Sequence, residues 1–112
     1  IRLLRINPAL DHSDAVECTL EYVSLQNKPI YNALSYVWGD VNVTDTVLVN
    51  GQHFEATKNL VAALRERRKS RLSESTWIDA VCINQKSVDE KTQQVRLMRD
   101  IYCAAQKTLV WL

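Results

Sequence analysis

Apolar and polar positions along this chain follow several distinct rhythms, and each rhythm predicts an element. Ile1 to Ile6 is a short apolar-rich strand stopped by Asn7-Pro8, and Asp11-His12-Ser13-Asp14 is a polar loop. From Val16 the pattern alternates: Val16, Cys18, Leu20 and Tyr22 point one way, and Glu17, Thr19 and Glu21 the other. That period of two is the signature of a half-buried strand. Asn32 to Trp38 is apolar on both faces, as a central strand is, and ends at Gly39-Asp40. Thr46–Asn50 and Gln52–Ala56 flank Asn50-Gly51, the pair best suited to the two positive φ values of a type I′ hairpin turn. In that register Val47 faces Phe54.

The second half changes period. Thr57 is a candidate N-cap for a helix that runs to about Arg68, with Leu60, Val61 and Leu64 on one face. Trp77 to Ile83 is a nearly continuous apolar run containing one carboxylate, Asp79, and reads as a buried parallel strand. Ser87 and Glu90 form a capping-box pattern at the start of the longest helix, whose face carries Val95, Met98, Ile101, Tyr102 and Ala105. Thr108 to Leu112 is the next buried strand. Strand, helix, strand, helix, strand is the grammar of right-handed crossovers, so the fold class is α/β with a parallel-sheet core, an N-terminal strand pair and an inserted β-hairpin.

Composition narrows the function. The 112 residues suffice for one domain at most, and 46% hydrophobic with 24% charged residues argues against wholesale disorder. No apolar run approaches the roughly 18 residues that span a bilayer, so no membrane is expected. A net charge of +1 gives no reason to expect nucleic acid. Three scattered cysteines, Cys18, Cys82 and Cys103, are an odd set without paired spacing, which points to reduced thiols inside a cell. The chain opens at Ile1 without a Met and stops at Leu112 within an apolar run, so we expect a segment of a longer protein, truncated after its third core strand.

Ligands of open α/β sheets gather at the carboxyl ends of the strands. Two segments qualify: Tyr36 to Asp40, and Asp79 through Gln85. A buried carboxylate is costly unless hydrogen-bonded or paired, so Asp79 is either a structural anchor for the Trp38-Gly39 turn or a site acid or hydroxyl acceptor. Asn84 and Gln85 can bind ligand amides or hydroxyls, or tie down their loop. The site candidates are therefore Ser35, Trp38, Gly39, Asp40, Asp79, Asn84 and Gln85, with no catalytic residue assigned. Glu90 is explained by its cap. A Cys82–His53–Asp79 triad lacks support, because His53 sits on a hairpin strand and buried cysteines are inert. No metal-ligand spacing and no glycine-rich phosphate loop is present, and no cofactor is evident. Trp38, Trp77 and Trp111 read as core. The basic run Arg65-Glu66-Arg67-Arg68-Lys69 with Arg71 reads as a solvated helix end that complements the helix dipole.

With these residues in view, the chain resembles the fungal heterokaryon-incompatibility (HET) domain. Tyr31 to Asp40 (YNALSYVWGD) resembles the family's opening block, and Trp77 to Gln85 (WIDAVCINQ) its second. Glu90, Gln94-Val95, Met98, Ile101-Tyr102, Ala105 and Val110-Trp111-Leu112 follow the third. The Ile1–Ile6 strand and the Asn59-Leu60 to Leu64-Arg65 helix fit before and between them.

The resemblance implies the N-terminal portion, residues 1–112, of a single cytoplasmic HET domain that triggers programmed cell death when incompatible hyphae fuse. Its partners would be other proteins or further copies of itself. HET domains are similar to Toll/interleukin-1 receptor (TIR) domains, which are flavodoxin-like and in some members cleave NAD. On that template Ala33–Trp38, Trp77–Ile83 and Thr108–Leu112 are the first three parallel strands. The glutamate essential to NAD-cleaving TIR domains lies on a helix after the third strand, so no residue here inherits its role. The resemblance thus leaves two readings: a self-associating signalling module, or an NAD glycohydrolase completed beyond Leu112.

Overall fold

The computed structural model describes residues 1–9, 15–37, 39–40, 42–69, 74–83 and 87–111. Its strands are β1 (Arg2–Ile6), β2 (Glu17–Tyr22), β3 (Asn32–Tyr36), β4 (Thr44–Val49), β5 (Gln52–Thr57), β6 (Thr76–Trp77) and β7 (Lys107–Trp111). Its helices are α1 (Lys58–Lys69), α2 (Asp79–Cys82) and α3 (Val88–Ala104), with a single 3₁₀ turn at Leu25–Asn27.

All seven strands join one mixed sheet in the order β5-β4-β2-β1-β6-β3-β7. β1–β2, β1–β6 and β4–β5 are antiparallel, whereas β2–β4, β3–β6 and β3–β7 are parallel. The N-terminal pair and the hairpin are therefore not appendages of a parallel core but its continuation. The hairpin forms as its sequence predicts: Asn50 and Gly51 take φ of 52° and 79°, and Val47 pairs with Phe54. Asn50 also pins the turn to β2, accepting from the Leu20 N–H at 2.9 Å and donating its own N–H to the Cys18 carbonyl at 2.9 Å.

Three expectations need correction. The run Trp77–Ile83 is not one strand: β6 has only Thr76 and Trp77, and the chain then winds into α2 after an extended Ile78. The burial was read correctly, since Trp77, Ile78, Val81, Cys82 and Ile83 are all buried, but a short apolar run does not distinguish strand from helix. Thr108–Leu112 is not a buried strand either. β7 lies at an edge of the sheet, and Val110 is 67% exposed. Tyr22 shares the parity of Val16, Cys18 and Leu20 but lies past the core, largely exposed, with the Arg2 guanidinium 5.2 Å from its ring centroid.

Side-chain parity shows how the layers are arranged. Leu34 pairs with Leu109 and Tyr36 with Trp111, so these four share one face. α1 lies there, its Asn59 accepting from the Trp111 indole N–H at 3.2 Å. Ala33 pairs with Trp77 on the opposite face, where α3 packs Tyr102 edge-on against Trp77 with centroids 5.4 Å apart. The Tyr31 hydroxyl, of the same parity, donates to the Ile101 carbonyl. Leu3 and Leu4 point to opposite faces and both are buried, because the centre of the sheet is covered on both sides. The two helices change sides because the chain moves from β3 to β6 in one direction and from β6 past β3 to β7 in the other, and right-handed crossovers then fall on opposite faces.

The helix ends follow their sequence signals. The Thr57 hydroxyl accepts from the Leu60 N–H at 3.3 Å, and the Ser87 hydroxyl from the Glu90 N–H at 3.3 Å. The basic end of α1 is less solvated than its composition suggests. Arg67 pairs with Glu74 at 2.7 Å, Arg68 donates to the Ala15 carbonyl at 3.1 Å, and Lys69 pairs with Glu66 at 3.1 Å. Glu74 also accepts from the Asn32 amide at 2.6 Å, which ties the end of α1 to the start of β3.

Candidate functional site

The carboxyl ends of β3, β6 and β7 meet at one rim of the sheet, together with the amino end of antiparallel β1. Here the Val37 N–H donates to the Trp111 carbonyl at 3.2 Å, carrying the β3–β7 ladder one residue further. Gly39 follows with φ of 71°, in the left-handed region that a side chain resists. Asp40 closes the turn: its carboxylate accepts from the Asn42 N–H at 2.9 Å and its carbonyl from the Val43 N–H at 3.1 Å. It is exposed, and its role here is to shape the loop.

Asp79 opens α2 and is half-buried. Burial pushes its carboxyl pKa above the ordinary value, partly offset by hydrogen bonds from the N–H groups of Ala80 and of Asp79 itself. The carboxylate thus occupies the amino end of its own short helix. Tyr36 lies within its electrostatic reach: burial first, and then the charges of Asp79 and Tyr102, push the Tyr36 hydroxyl pKa up. Tyr102 is pushed up in the same way, by burial and by Asp79. Both phenols therefore keep their protons at neutral pH, beside the acidic Asp79.

A cleft of about 560 Å³ opens beside Tyr36. Strand β5 of the hairpin forms one wall through His53, Phe54 and Thr57, and α2 forms the other through Ala80 and Val81. Arg2 stands at its margin. Its guanidinium donates to the Cys82 carbonyl at 3.2 Å and forms an ion pair with Glu90, joining β1 to the end of α2 and the start of α3. The cleft thus mixes apolar side chains, Leu20, Phe54, Leu60, Val81 and Ile83, with the polar Arg2, Tyr36, Gln52, His53, Glu55 and Thr57.

The structure sorts the sequence-based candidates. Tyr36 and Asp79 come together at the rim, and Gly39 and Asp40 shape the adjoining turn. Ser35 has the parity of Ala33, so it faces away from Tyr36, opposite Val110 in the ladder. Trp38, Asn84 and Gln85 lie outside the described residues. Cys82 is fully buried, its thiol accepting from the Ile78 N–H at 3.4 Å and its pKa pushed up to about 12 by burial, which makes it a structural thiol. Among the described residues no cluster of three or more His, Cys, Asp or Glu could hold a metal ion, and no helix is long and apolar enough to cross a membrane.

Sequence reading missed Arg2 and Asn59, whereas Tyr36 falls within the candidate segment Tyr36 to Asp40 without being singled out. Arg2 carries no spacing signal and reads as a strand residue. Asn59, in the first turn of α1, donates its amide to the Val37 carbonyl and accepts from the Trp111 indole. A polar residue at a helix start is ordinarily read as a cap, and no local pattern distinguishes a tertiary contact.

A doubly covered sheet with a polar rim is compatible with many functions, and comparison with known proteins narrows them. Residues 31–112 match the family model described as heterokaryon incompatibility protein (HET), so the chain belongs to the HET family. It is also similar to heterokaryon incompatibility protein 6, OR allele, of Neurospora crassa, with 39% identity over 125 aligned positions. That alignment takes in all of this chain but only 18% of the relative, so the chain spans less than a fifth of that protein's length. No solved structure matches the chain significantly.

Proposed function

We propose that this chain is the N-terminal portion of a single cytoplasmic HET domain that acts in fungal incompatibility as a cell-death signalling module, through self-association or a protein partner. Membership of the HET family and the similarity to a protein named for heterokaryon incompatibility carry this reading. Val88 and Val95 on α3 and Val110 on β7 are exposed in the 112 residues, a face that the rest of the proposed domain or a partner would cover. The test is induced expression in fungal cells with viability as the readout and protein level followed by immunoblot. Asp79→Asn, which keeps the shape and the acceptor oxygen of the side chain, is expected to abolish killing at unchanged protein level. Full killing by that variant overturns the assignment of the site.

A second reading is favoured by one observation, the Tyr36–Asp79 rim beside a cleft. In this reading the domain is TIR-like and cleaves NAD, the substrate, with a glutamate beyond Leu112. The order β6-β3-β7 supports it: numbered along the parallel core this is 2-1-3, the start of the flavodoxin-like order 2-1-3-4-5. Glycosidic cleavage develops oxocarbenium character that a nearby carboxylate stabilises. Asp79 is held by its own helix start and Glu90 by Arg2, so the 112-residue chain alone is expected to release no nicotinamide from NAD. Turnover above an Asp79→Asn control, followed by chromatography, would place the whole site within these residues.

A further inference from the structure

We infer that Asn59 is the positioning residue of the candidate site, a single carboxamide that locks the turn after β3 against the end of β7. The inference rests on the reading of the Tyr36–Asp79 rim as functional.

Ligands of doubly wound sheets bind where the strand order reverses, and here that point falls between β3 and β7. Asn59 reaches it from the first turn of α1, its NH₂ donating to the Val37 carbonyl and its oxygen accepting from the Trp111 indole at 3.2 Å. One side chain thus engages the ends of both strands at the place where the Val37 N–H already bridges them to the Trp111 carbonyl. The fit is close. A Cβ built on Gly39 would lie 3.6 Å from the Asn59 Cβ, so the turn passes directly over this side chain.

The geometry selects the residue type. Aspartate keeps the acceptor for Trp111 but presents a second oxygen to the Val37 carbonyl, replacing a hydrogen bond by repulsion. Glutamine has both groups on a stem one carbon longer, which displaces them from the positions that meet Val37 and Trp111. Alanine leaves the Val37 carbonyl and the indole N–H without partners. With Asn59 between the two strand ends, the end of β3 is fixed, and Tyr36, the residue before Val37, lines the cleft.

A positioning role differs from a general contribution to stability in where the loss appears. Amide hydrogen exchange resolves local opening from global unfolding. Asn59→Asp and Asn59→Ala are expected to speed exchange of the Val37 amide by about tenfold, the equivalent of one lost hydrogen bond. The amides of Leu4, Leu34 and Leu64 should keep their rates. Trp111→Phe, which removes one of the two bonds and keeps an aromatic ring, should reproduce a smaller part of the same local change, and it serves if the Asn59 variants fail to fold. Unchanged exchange at Val37, or acceleration shared equally by the core amides, overturns the inference. Killing by Asp79→Asn tests the site itself and leaves this exchange pattern untouched, so the two can fail separately.

Discussion

α1 and α3 flank the same sheet and differ in what they bury. The 12-residue α1 buries Leu60, Val61, Ala63 and Leu64, is capped by Thr57 and is tied at its far end through Arg67 and Glu74. The 17-residue α3 is longer and equally well capped, yet among the described residues Ile101 is its only buried one. Val88 and Val95, one heptad apart, are 77% and 51% exposed. The two edges of the sheet differ likewise. β5 carries His53 and Glu55, and the Glu55 carboxylate accepts from the hydroxyls of Thr44 and Thr46, whereas β7 presents Val110. Polar edges resist strand addition and apolar ones invite it. One side of the molecule is finished as a core, and the other offers a surface to be covered.

The largest expected effect tests that asymmetry directly. Leu64→Ala should cost about 2–5 kcal/mol in chemical denaturation, and Val95→Ala less than about 0.5 kcal/mol. Equal losses would mean that α3 is as deeply packed as α1. Next, Gly51→Val places a β-branched residue at φ of 79° in the hairpin turn and should cost about 1–3 kcal/mol, with loss of the β4–β5 register on the finished side. The space there is open, so strain alone is responsible. Smaller in energy but specific in effect, Val110→Lys should reduce concentration-dependent association in sedimentation velocity while leaving the denaturation midpoint in place. His53→Lys on the opposite edge should leave association unchanged. If His53→Lys dissolves the assemblies instead, the apolar surface is on the wrong side of this comparison.

The remaining tests are subtler. Cys103 is exposed on α3, whereas Cys18 and Cys82 are buried with thiol pKa values pushed up to about 12. Iodoacetamide should therefore label Cys103 alone in the folded chain, detected by mass spectrometry, and all three in denaturant. Asp79 supplies a pH dependence. Its folded pKa is raised, so the folded state holds its proton more tightly than the unfolded chain does. The stabilisation this provides is fully present below the unfolded value near 3.8 and is lost as pH rises through the folded value. Asp79→Asn should thus be at least as stable as the parent chain at pH 7 and should lack that gain on acidification. A variant that is no less stable and does not kill would mark a carboxylate kept for function.

Much of this was legible in the sequence because the signals are local. Asn50-Gly51 has a turn chemistry that few other pairs satisfy, Thr57 and Ser87 announce their helices, and period-two alternation set the face of β2. The run from Trp77 to Ile83 announced its burial and its single carboxylate, and the motifs shared with the HET family were visible in Tyr31–Asp40 and around Asp79. What those residues do together was not legible. Only the tertiary structure shows that β6, between β1 and β3, stops after two residues and that the chain then turns into α2. It decided that the hairpin extends the sheet and walls a cleft. It also brought Arg2 to Glu90, Tyr36 to Asp79 and Asn59 to Trp111, pairs separated by 88, 43 and 52 positions. A local pattern records the hydrogen bonds and φ values a residue needs within a turn or two, whereas a contact between distant strand ends depends on the order of the whole sheet, which no single segment carries.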